Sequence, residues 1–290
     1  MSQIWIDGKL LNRDEAKISV YDHGVLYGDG CFEGIRVYSG RIFKLKSHLE
    51  RMYASAAEIR LIPPYSLEEI EHATRETVKA NNISDGYIRL VFTRGVGTLG
   101  LNPFACPTAT CFIIAASIQL YPPELYENGM KVIVADRPRI PIKCLDPAIK
   151  SLNYLNNILA KIEAIDAEVL EAIMLNPEGY VSECTGDNLF IVKEGKIFTP
   201  PTGAGILHGI TRRFVIEEVA PALGYPVEER MMKLDEVLAA DEMFLTGTAA
   251  EIIGVNQVGE TLIGSGKVGD ITRAMGAEFR RRVSENAEED

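Results

Sequence analysis

The chain has 290 residues, of which 47% are hydrophobic and 24% are charged. This composition is ordinary for a globular protein with a substantial core, and the length allows one large domain or two moderate ones. The formal net charge of -11 argues against a nucleic-acid binder, because phosphate binding needs a basic face. An anionic ligand would therefore need a local positive pocket.

The sequence also argues against secretion, membrane insertion and a metal site. The first residues are polar and charged, unlike a signal peptide. No apolar run approaches the roughly 20 residues that a membrane span requires. The five cysteines are odd in number and scattered, and none forms a CxxC pair. We therefore expect a cytoplasmic protein without a bound metal, a nucleic-acid partner or a membrane.

The first 120 residues predict an antiparallel sheet with two helices. Two hairpins are indicated, one turning at Asp7-Gly8 and one at Ser39-Gly40. Two strand-like runs follow at 86–94 and 109–117. This region therefore predicts an α+β domain.

Capping boxes predict where the two helices of this region begin. Ser47 with Glu50 precedes an apolar-periodic segment, and Ser66 with Glu69 precedes a second one that ends near Asn81.

Two consecutive prolines, Pro122 and Pro123, interrupt the pattern. Proline stops a helix interior and a central strand alike, which favours a linker here. We therefore predict a small N-terminal domain over 1–120, a linker over 121–128 and a larger C-terminal domain over 129–290.

The C-terminal region predicts short strands and helices. Strands are expected at 131–135, 172–175, 179–181, 188–192, 196–199 and 242–247, with a hairpin at Glu194-Gly195 and a helix from Ile210. A helix is expected over 151–165, and its predicted apolar face comprises Leu152, Leu155, Ile158, Leu159, Ile162 and Ile165. The last residues, 284–290, are expected to be a frayed, solvated tail.

Three familiar functional motifs are not supported by the sequence. Residues 95–100 match GxGxxG, but Pro103 follows where a dinucleotide fold needs a helix to begin. Residues 264–267 lack the spacing of a phosphate-binding P-loop. The four histidines have no recognisable nucleophile partner, so a Ser/Cys-His hydrolase gains no support.

Four segments carry residues suited to one chemistry. Lys150 stands alone between a loop and an apolar helix, and Glu183 precedes a glycine-containing turn. The segment 208–212 opens a helix with a hydroxyl residue, and 245–251 ends a strand in a small-residue turn. Each has an ordinary structural explanation when taken alone. Together they match pyridoxal-5′-phosphate (PLP), which requires a Schiff-base lysine, an acid at the pyridine nitrogen and amides that bind its phosphate.

The chain resembles the branched-chain-amino-acid aminotransferases of class IV (fold-type IV) from about Ile4 to Thr272. Five motifs appear in the family's order: YGDGCFEGIR at 27–36, IKSLNYLNN at 149–157, SECTGDNLF at 182–190, HGITR at 208–212 and TGTAAE at 246–251. The resemblance implies a D-amino acid aminotransferase-like fold, with a small N-terminal α/β sandwich and a larger β-barrel-like domain. It also implies PLP as cofactor and self-association as a homodimer or higher oligomer.

The resemblance assigns the cofactor residues. It implies that Lys150 forms the Schiff base and moves the α-proton of the substrate, while Glu183 keeps the pyridine nitrogen protonated. The other cofactor-binding residues that it implies are Tyr154 at the phenolic oxygen, and Arg51, Ile210, Thr211, Gly247 and Thr248 around the phosphate.

The resemblance also implies the substrates, which are amino acids and 2-oxo acids. The amino group of leucine, isoleucine or valine would move to 2-oxoglutarate, giving L-glutamate. Arg89 matches an arginine that holds the distal carboxylate of glutamate. The predicted substrate-binding residues are Tyr27, Phe32, Arg36, Tyr87, Arg89, Tyr121, Thr248 and Ala249.

Related activities remain as alternatives. D-amino acid aminotransferases carry an Arg-x-His motif after the Arg89 strand, and residues 93–103 have none. An aminotransferase of (R)-primary amines and an aminodeoxychorismate lyase share the framework. The segment 137–146 and Cys184 depart from the family pattern and put the substrate breadth in question.

Overall fold

The computed structural model describes residues 2–118 and 121–286. The chain divides into two compact units. The first unit takes Met1–Gln119 together with Ile149–Asn153 and Val283–Asp290, and the second takes Leu120–Ala148 and Tyr154–Arg282. The transfer of 149–153 to the first unit was not expected from the sequence.

The described part of the first unit contains a six-stranded antiparallel sheet and three α-helices. The sheet order is β2-β1-β6-β5-β3-β4. The strands are β1 (Gln3–Ile6), β2 (Lys9–Asn12), β3 (Gly30–Tyr38), β4 (Arg41–Ile42), β5 (Gly86–Thr93) and β6 (Thr110–Ala116). The helices are α1 (His23–Tyr27), α2 (Leu45–Glu58) and α3 (Leu67–Ala80), with a 3₁₀ turn at Pro103–Ala105.

The two predicted hairpins of this unit are confirmed. Asp7 and Gly8 have φ of 43° and 85°, and Ser39 and Gly40 have φ of 50° and 81°. Two successive positive φ values are typical of the type I′ turn, whose twist matches that of the flanking strands.

One of the two predicted capping boxes is correct. The Ser66 hydroxyl accepts a hydrogen bond from the Glu69 N–H at 3.3 Å, and the Glu69 carboxylate accepts one from the Ser66 N–H at 2.7 Å. The box predicted at Ser47 is wrong. Helix α2 begins three residues earlier, after Lys44 in the left-handed conformation, and the buried Ser47 lies inside the helix.

The predicted face of α2 is buried in the core of the first unit. Leu49, Met52 and Ala56 are fully buried, and Tyr53 packs against them at the edge. Burial of a leucine or methionine side chain contributes about 1.5–3 kcal/mol, so this face holds the helix against the sheet. Helix α2 therefore turns its apolar face, and not its polar face, toward the core of the first unit.

The described part of the second unit contains a curled nine-stranded mixed sheet. Its order is β12-β11-β10-β13-β14-β7-β8-β9, with β15 paired to β14. Strand pairs β11/β12, β14/β7 and β7/β8 are parallel, and the others are antiparallel. The strands are β7 (Met130–Val134), β8 (Glu171–Leu175), β9 (Val181–Cys184), β10 (Asn188–Lys193), β11 (Lys196–Thr199), β12 (Val227–Glu229), β13 (Glu242–Gly247), β14 (Glu251–Val258) and β15 (Thr261–Leu262).

Edge strand β9 also lies against β10, so the sheet curls back on itself, in agreement with the predicted barrel-like domain. The helices are α4 (Pro123–Asn128), α5 (Leu155–Asp166), α6 (Ile210–Phe214), α7 (Ala220–Ala222), α8 (Leu234–Leu238) and α9 (Asp270–Asn286). A π-helical turn, Val215–Val219, joins α6 to α7, and a 3₁₀ turn lies at Thr202–Ala204. Helix α9 includes residues 284–286 of the predicted tail, and 287–290 lie outside the described residues.

The proline pair of the predicted linker lies at the start of a helix. Pro123 is the first residue of α4, where its missing N–H costs nothing because the first helical N–H groups have no partner within a helix. The prolines therefore begin α4 here.

Helix α5 differs from its prediction in extent and in burial. It begins at Leu155, because residues before Tyr154 join the first unit. Its predicted apolar face is largely solvent-exposed: Leu155 is 63% exposed and Ile165 is 61% exposed. The buried side is formed by Asn157, Ala160 and Ala164. Small residues allow close packing of the helix on β8, and the larger apolar residues remain outside.

Candidate active site

The backbone of Lys150 is attached to strand β3 in the first unit. The Phe32 N–H donates to the Lys150 carbonyl at 3.0 Å, and the Leu152 N–H donates to the Gly30 carbonyl at 2.9 Å. Between them, Cys31 and Ser151 form an antiparallel bridge. Residues 149–153 therefore extend the sheet and hold the lysine in one place along β3.

The side chain of Lys150 lies over an aromatic ring. Its Nζ is 4.6 Å from the ring centroid of Phe32, a distance at which an ammonium interacts with the π face. The Lys150 N–H donates to the hydroxyl of Ser55, a buried residue of α2, at 3.2 Å. Lys150 therefore contacts Phe32 through its side chain and helix α2 through its backbone N–H.

Arg51, the predicted phosphate-binding arginine, lies on the same helix and contacts a buried glutamate. Its Nε donates to Glu33 Oε1 at 2.7 Å, and its Nη2 donates to Oε2 at 2.8 Å. His48 Nδ1 lies 2.7 Å from the same Oε2. The structure therefore places Arg51 in a buried network with Glu33 and His48, two residues that the sequence analysis did not select.

Burial and charge act in opposite directions on this network. Burial would raise the pKa of Glu33, but the Arg51 guanidinium and His48 hold that pKa well below its ordinary value. Burial lowers the pKa of His48 and outweighs the attraction of Glu33, while the charges of Arg51 and Lys150 lower it further. His48 is therefore neutral at pH 7, and its Nδ1–H donates to Glu33.

Three predicted substrate residues lie together in the first unit. The Arg89 guanidinium is 4.5 Å from the Phe32 ring centroid, and its Nη2 donates to the Tyr87 hydroxyl at 3.0 Å. A Cβ on Gly34 would lie 2.0 Å from that hydroxyl, so glycine makes room for the tyrosine. The result is an aromatic surface that carries Arg89 and lies beside Lys150.

Two further predicted substrate residues belong to this unit, and one of them, Arg36, lies opposite Tyr87 in the register of β3 and β5. Arg36 is buried, with its guanidinium 4.6 Å from the Tyr38 ring centroid. The hydroxyl of Tyr27, at the end of α1, accepts a hydrogen bond from the Gly100 N–H at 2.8 Å. The GxGxxG segment is a loop, as expected, and its last glycine is hydrogen-bonded to a residue of α1.

Glu183, the predicted acid, is a buried carboxylate of the second unit with both oxygens hydrogen-bonded. Oε1 lies 3.0 Å from Arg139 Nε and 2.8 Å from Arg139 Nη2. Oε2 accepts from Asn188 Nδ2 at 3.1 Å and from the Leu207 N–H at 3.0 Å. Contacts on both sides fix the carboxylate in one orientation.

Arg139 was missed by sequence reasoning, which noted only that 137–146 departs from the family pattern. Its side chain is 6% exposed. The sequence showed only an arginine in a proline-rich loop. The structure buries this arginine beside Glu183. A long-range contact of this kind has no local pattern that would reveal it.

Two glycines of the predicted phosphate-binding segments are required by close contacts in the second unit. A Cβ on Gly209 would lie 2.0 Å from Asn188 Oδ1, and a Cβ on Gly247 would lie 1.8 Å from Asp187 Oδ1. Without side chains, these residues allow loop backbone to approach its neighbours closely.

The backbone groups around these glycines suit an anion. Gly209 caps α6 without a side-chain hydrogen bond, ahead of Ile210 and Thr211. Thr248 and Ala249 lie in the turn between β13 and β14, and Glu251 after it has φ of 59°. Pairing of Asn188 with Thr246 places this turn beside β10. The donor set is therefore amides and hydroxyls on neighbouring elements, which fits a phosphate group.

The two predicted tyrosines of the second unit are partly buried. Tyr154 immediately precedes α5. Tyr121 packs against the core of this unit and lines a cavity of about 570 Å³ with Tyr126 and Glu251. Burial raises the pKa of Tyr121, so its hydroxyl remains protonated at neutral pH.

Cys184, the second departure from the family pattern, is buried in β9 within the core, and burial raises the pKa of its thiol well above the ordinary value. Across residues 2–118 and 121–286, no group of three or more His, Cys, Asp or Glu side chains could hold a metal ion. In the same ranges no helix is long and apolar enough to cross a bilayer.

Comparison with known proteins identifies the family. Residues 30–258 match the family model described as amino-transferase class IV. The chain is 47% identical over 278 residues to a putative branched-chain-amino-acid aminotransferase of Methanocaldococcus jannaschii, covering 96% of this chain and 95% of that protein. It is 35% identical to a D-alanine aminotransferase of Staphylococcus haemolyticus, covering 98% of each.

Solved structures agree. The T.th. branched-chain amino acid aminotransferase with pyridoxamine 5′-phosphate superposes with a TM-score of 0.94 at 36% identity, covering 98% of this chain and 94% of that one. Agreement of sequence and fold over nearly the whole length leaves one conclusion. The chain belongs to the class IV aminotransferase family.

Proposed function

We propose that this protein is a PLP-dependent aminotransferase that moves the amino group of branched-chain L-amino acids to 2-oxoglutarate. The observation that carries the proposal is the setting of Lys150. Its backbone is bonded to β3, and its Nζ lies over Phe32, the residue that also contacts Arg89. The names of the M. jannaschii and T.th. relatives support the same activity.

The residues present fit PLP in each unit. PLP, when bound, supplies a carbonyl for the Schiff base and a ring that accepts electrons from the substrate. In the first unit, Lys150 would hold it covalently and Arg51 would face its phosphate. In the second unit, Glu183 would meet the pyridine nitrogen and Tyr154 the phenolic oxygen. The remaining phosphate donors would be Ile210, Thr211, Gly247 and Thr248.

We assign the proton transfer to Lys150. Its Nζ would take the α-proton from the amino substrate as a neutral amine and would give the proton back as an ammonium. The Glu183 carboxylate would stay ionised and keep a proton on the ring nitrogen that faces it. Its hydrogen bonds at both oxygens favour the charged form.

The substrate class follows from the surface beside Lys150. Phe32 and Tyr87 offer apolar area for a branched side chain, and Arg89 offers a charge for the distal carboxylate of glutamate. Thr248 and Ala249 would bind the α-carboxylate. Tyr27 and Arg36 in the first unit and Tyr121 in the second are the other residues proposed to bind the substrate.

The D-alanine aminotransferase relative gives a second candidate, an enzyme of D-amino acids. The absence of Arg-x-His in 93–103 disfavours it. (R)-Primary amines are the other class to be tested.

We propose that the protein acts in the cytoplasm as a homodimer or higher oligomer. Helix α5 presents Leu155, Ile158, Ile162 and Ile165 to solvent along one side of the second unit. A contiguous apolar stripe of this kind is typical of an interface, and a second copy of the chain is its proposed occupant. Light scattering should therefore give a dimer or larger. The double variant I158E/I162E should be smaller, and Asp166→Ser should match the wild type.

The absorption spectrum of the purified holoenzyme tests the activity. The visible band of lysine-bound PLP should bleach on addition of L-leucine and persist with D-alanine and with (R)-1-phenylethylamine. Lys150→Ala should lose both this band and transamination, whereas Lys143→Ala should retain both. Bleaching by D-alanine would favour the second candidate, and bleaching by the amine would favour an enzyme of (R)-primary amines. Protein that takes up no PLP would overturn the proposal.

A further inference from the structure

We propose that Arg139 is a positioning residue of the reaction, which holds the Glu183 carboxylate ionised and oriented toward the ring nitrogen. The inference rests on the proposed function and deepens it. It concerns a residue outside the set that the sequence motifs indicate, in a loop where this chain departs from the family pattern.

The contact between the two side chains is direct and buried. Arg139 directs Nε and Nη2 at the same oxygen, Oε1, at 3.0 and 2.8 Å, and each side chain is 6% exposed. A carboxylate removed from water to this extent favours the neutral, protonated form unless an opposite charge lies against it. Arg139 supplies that charge.

A second set of contacts fixes the guanidinium itself. Its Nη1 donates to Asn157 Oδ1 at 3.0 Å and lies 3.3 Å from Asn156 Oδ1, both on α5. Asn157 in turn donates to the Thr185 carbonyl at 2.8 Å, two residues after Glu183. All of these groups belong to the second unit.

The backbone completes the arrangement. The Arg139 N–H donates to the Leu175 carbonyl at 2.8 Å, at the end of β8. Arg139 therefore attaches the loop to the sheet through its backbone and contacts Glu183 through its side chain. A lysine would supply the charge but could not bond Glu183 and Asn157 in these directions, because only the guanidinium is a planar fork.

The chemical consequence concerns one proton. A protonated Glu183 would present a hydroxyl donor to a ring nitrogen that also needs a proton, and the ring would lose its acceptor. With Arg139 in place the carboxylate remains the acceptor. Loss of Arg139 should therefore affect the chemical step and cofactor binding, and leave recognition of the amino acid nearly intact.

The test compares the wild type, Arg139→Gln and Arg139→Lys with a matched control, Arg137→Gln. Arg137 is an exposed arginine of the same loop, 3.9 Å from Glu163. Each apoprotein is titrated with PLP and with its 1-deaza analogue, which lacks the ring nitrogen. We expect Arg139→Gln to weaken PLP binding roughly tenfold and analogue binding less than about twofold, the scale seen when support for a ligating side chain is lost.

The steady-state readouts are kcat, KM for L-leucine and the pH profile. Arg139→Gln should lower kcat roughly 10- to 100-fold with little change in KM. The acid limb of its kcat profile should move to higher pH, because Glu183 then protonates more easily. Arg139→Lys should recover part of kcat, and Arg137→Gln should match the wild type. If Arg139→Gln does not fold, Asn157→Ala is the alternative variant. It should change kcat, the pH profile and PLP affinity in the same directions, but by smaller amounts.

Two results would overturn the inference while leaving the proposed function intact. One is an Arg139→Gln enzyme with wild-type kcat and pH profile. The other is an equal loss of affinity for PLP and for the deaza analogue, since a purely structural role does not depend on the ring nitrogen. Wild-type protein that binds neither compound would overturn the proposed function and the inference with it.

Discussion

Arg51 Nε lies 2.7 Å from Glu33 Oε1, and Arg51 Nη2 lies 2.8 Å from Glu33 Oε2. The glutamate is fully buried and the arginine side chain is 11% exposed. Such a fork-to-fork pair fixes the plane of the guanidinium. An arginine proposed to face a phosphate is thereby held by a partner on β3, the strand to which Lys150 is bonded.

Glu33→Gln should destabilise the protein by about 3–5 kcal/mol, because it removes the fully buried charge that pairs with Arg51. The measurement is the free energy of unfolding in urea. Glu71→Gln is the control, since Glu71 pairs with Arg75 on the exposed side of α3. We expect the control to change stability by less than about 0.5 kcal/mol. Equal effects of the two substitutions would contradict the argument.

Stability should fall as the solution is acidified from neutral pH. The pKa of His48 is lowered from its ordinary value of 6.5, mainly by burial, so the unfolded state binds more protons below that value. The pKa of Glu33 is also lowered, despite burial, by Arg51 and His48, so its contribution is lost as pH falls below 4.5. Both groups act in the same direction.

The check is urea unfolding at about pH 7.5 and about pH 5.5, where histidine titrates. The wild type should lose stability between them, and His48→Gln should lose less. His72→Gln, at an exposed position of α3, should behave as the wild type. A wild type that is more stable at the lower pH would contradict the predicted loss of stability on acidification.

Gly247→Ala should weaken PLP binding, because the new Cβ would lie 1.8 Å from Asp187 Oδ1 and the turn would have to move. Overpacking of this kind costs about 1–3 kcal/mol, or roughly 10- to 100-fold in affinity. Gly203→Ala is the control, since nothing lies within 4 Å of its Cβ position. PLP titration followed by fluorescence measures both, and similar affinities would argue against a role for this turn.

Arg89→Met should separate the two substrates. Loss of a charged hydrogen bond costs about 1.5–3 kcal/mol, so KM for 2-oxoglutarate should rise roughly 10- to 100-fold. KM for L-leucine should change little, because Phe32 and Tyr87 remain. Arg75→Met, on the exposed side of α3, is the control. Parallel changes for both substrates would remove the proposed role of Arg89.

The amino-acid sequence was sufficient wherever the information is local. Asp7-Gly8 and Glu194-Gly195 specify hairpins because few residues adopt positive φ, and Ser66 with Glu69 specifies a helix start through two bonds three residues apart. The motifs around Lys150 and Glu183 indicated the family because each is contiguous in the chain. These features need no knowledge of distant neighbours.

Contacts between distant residues required the folded chain. Arg139 and Glu183 are 44 residues apart, and Lys150 and Ser55 are 95 apart. Helix α5 shows the same limit: its apolar periodicity is real, but packing buries the alanine side and leaves Leu155 and Ile165 exposed. The periodicity of a sequence identifies an apolar face of a helix. Whether that face is buried depends on which elements lie next to it in the folded chain.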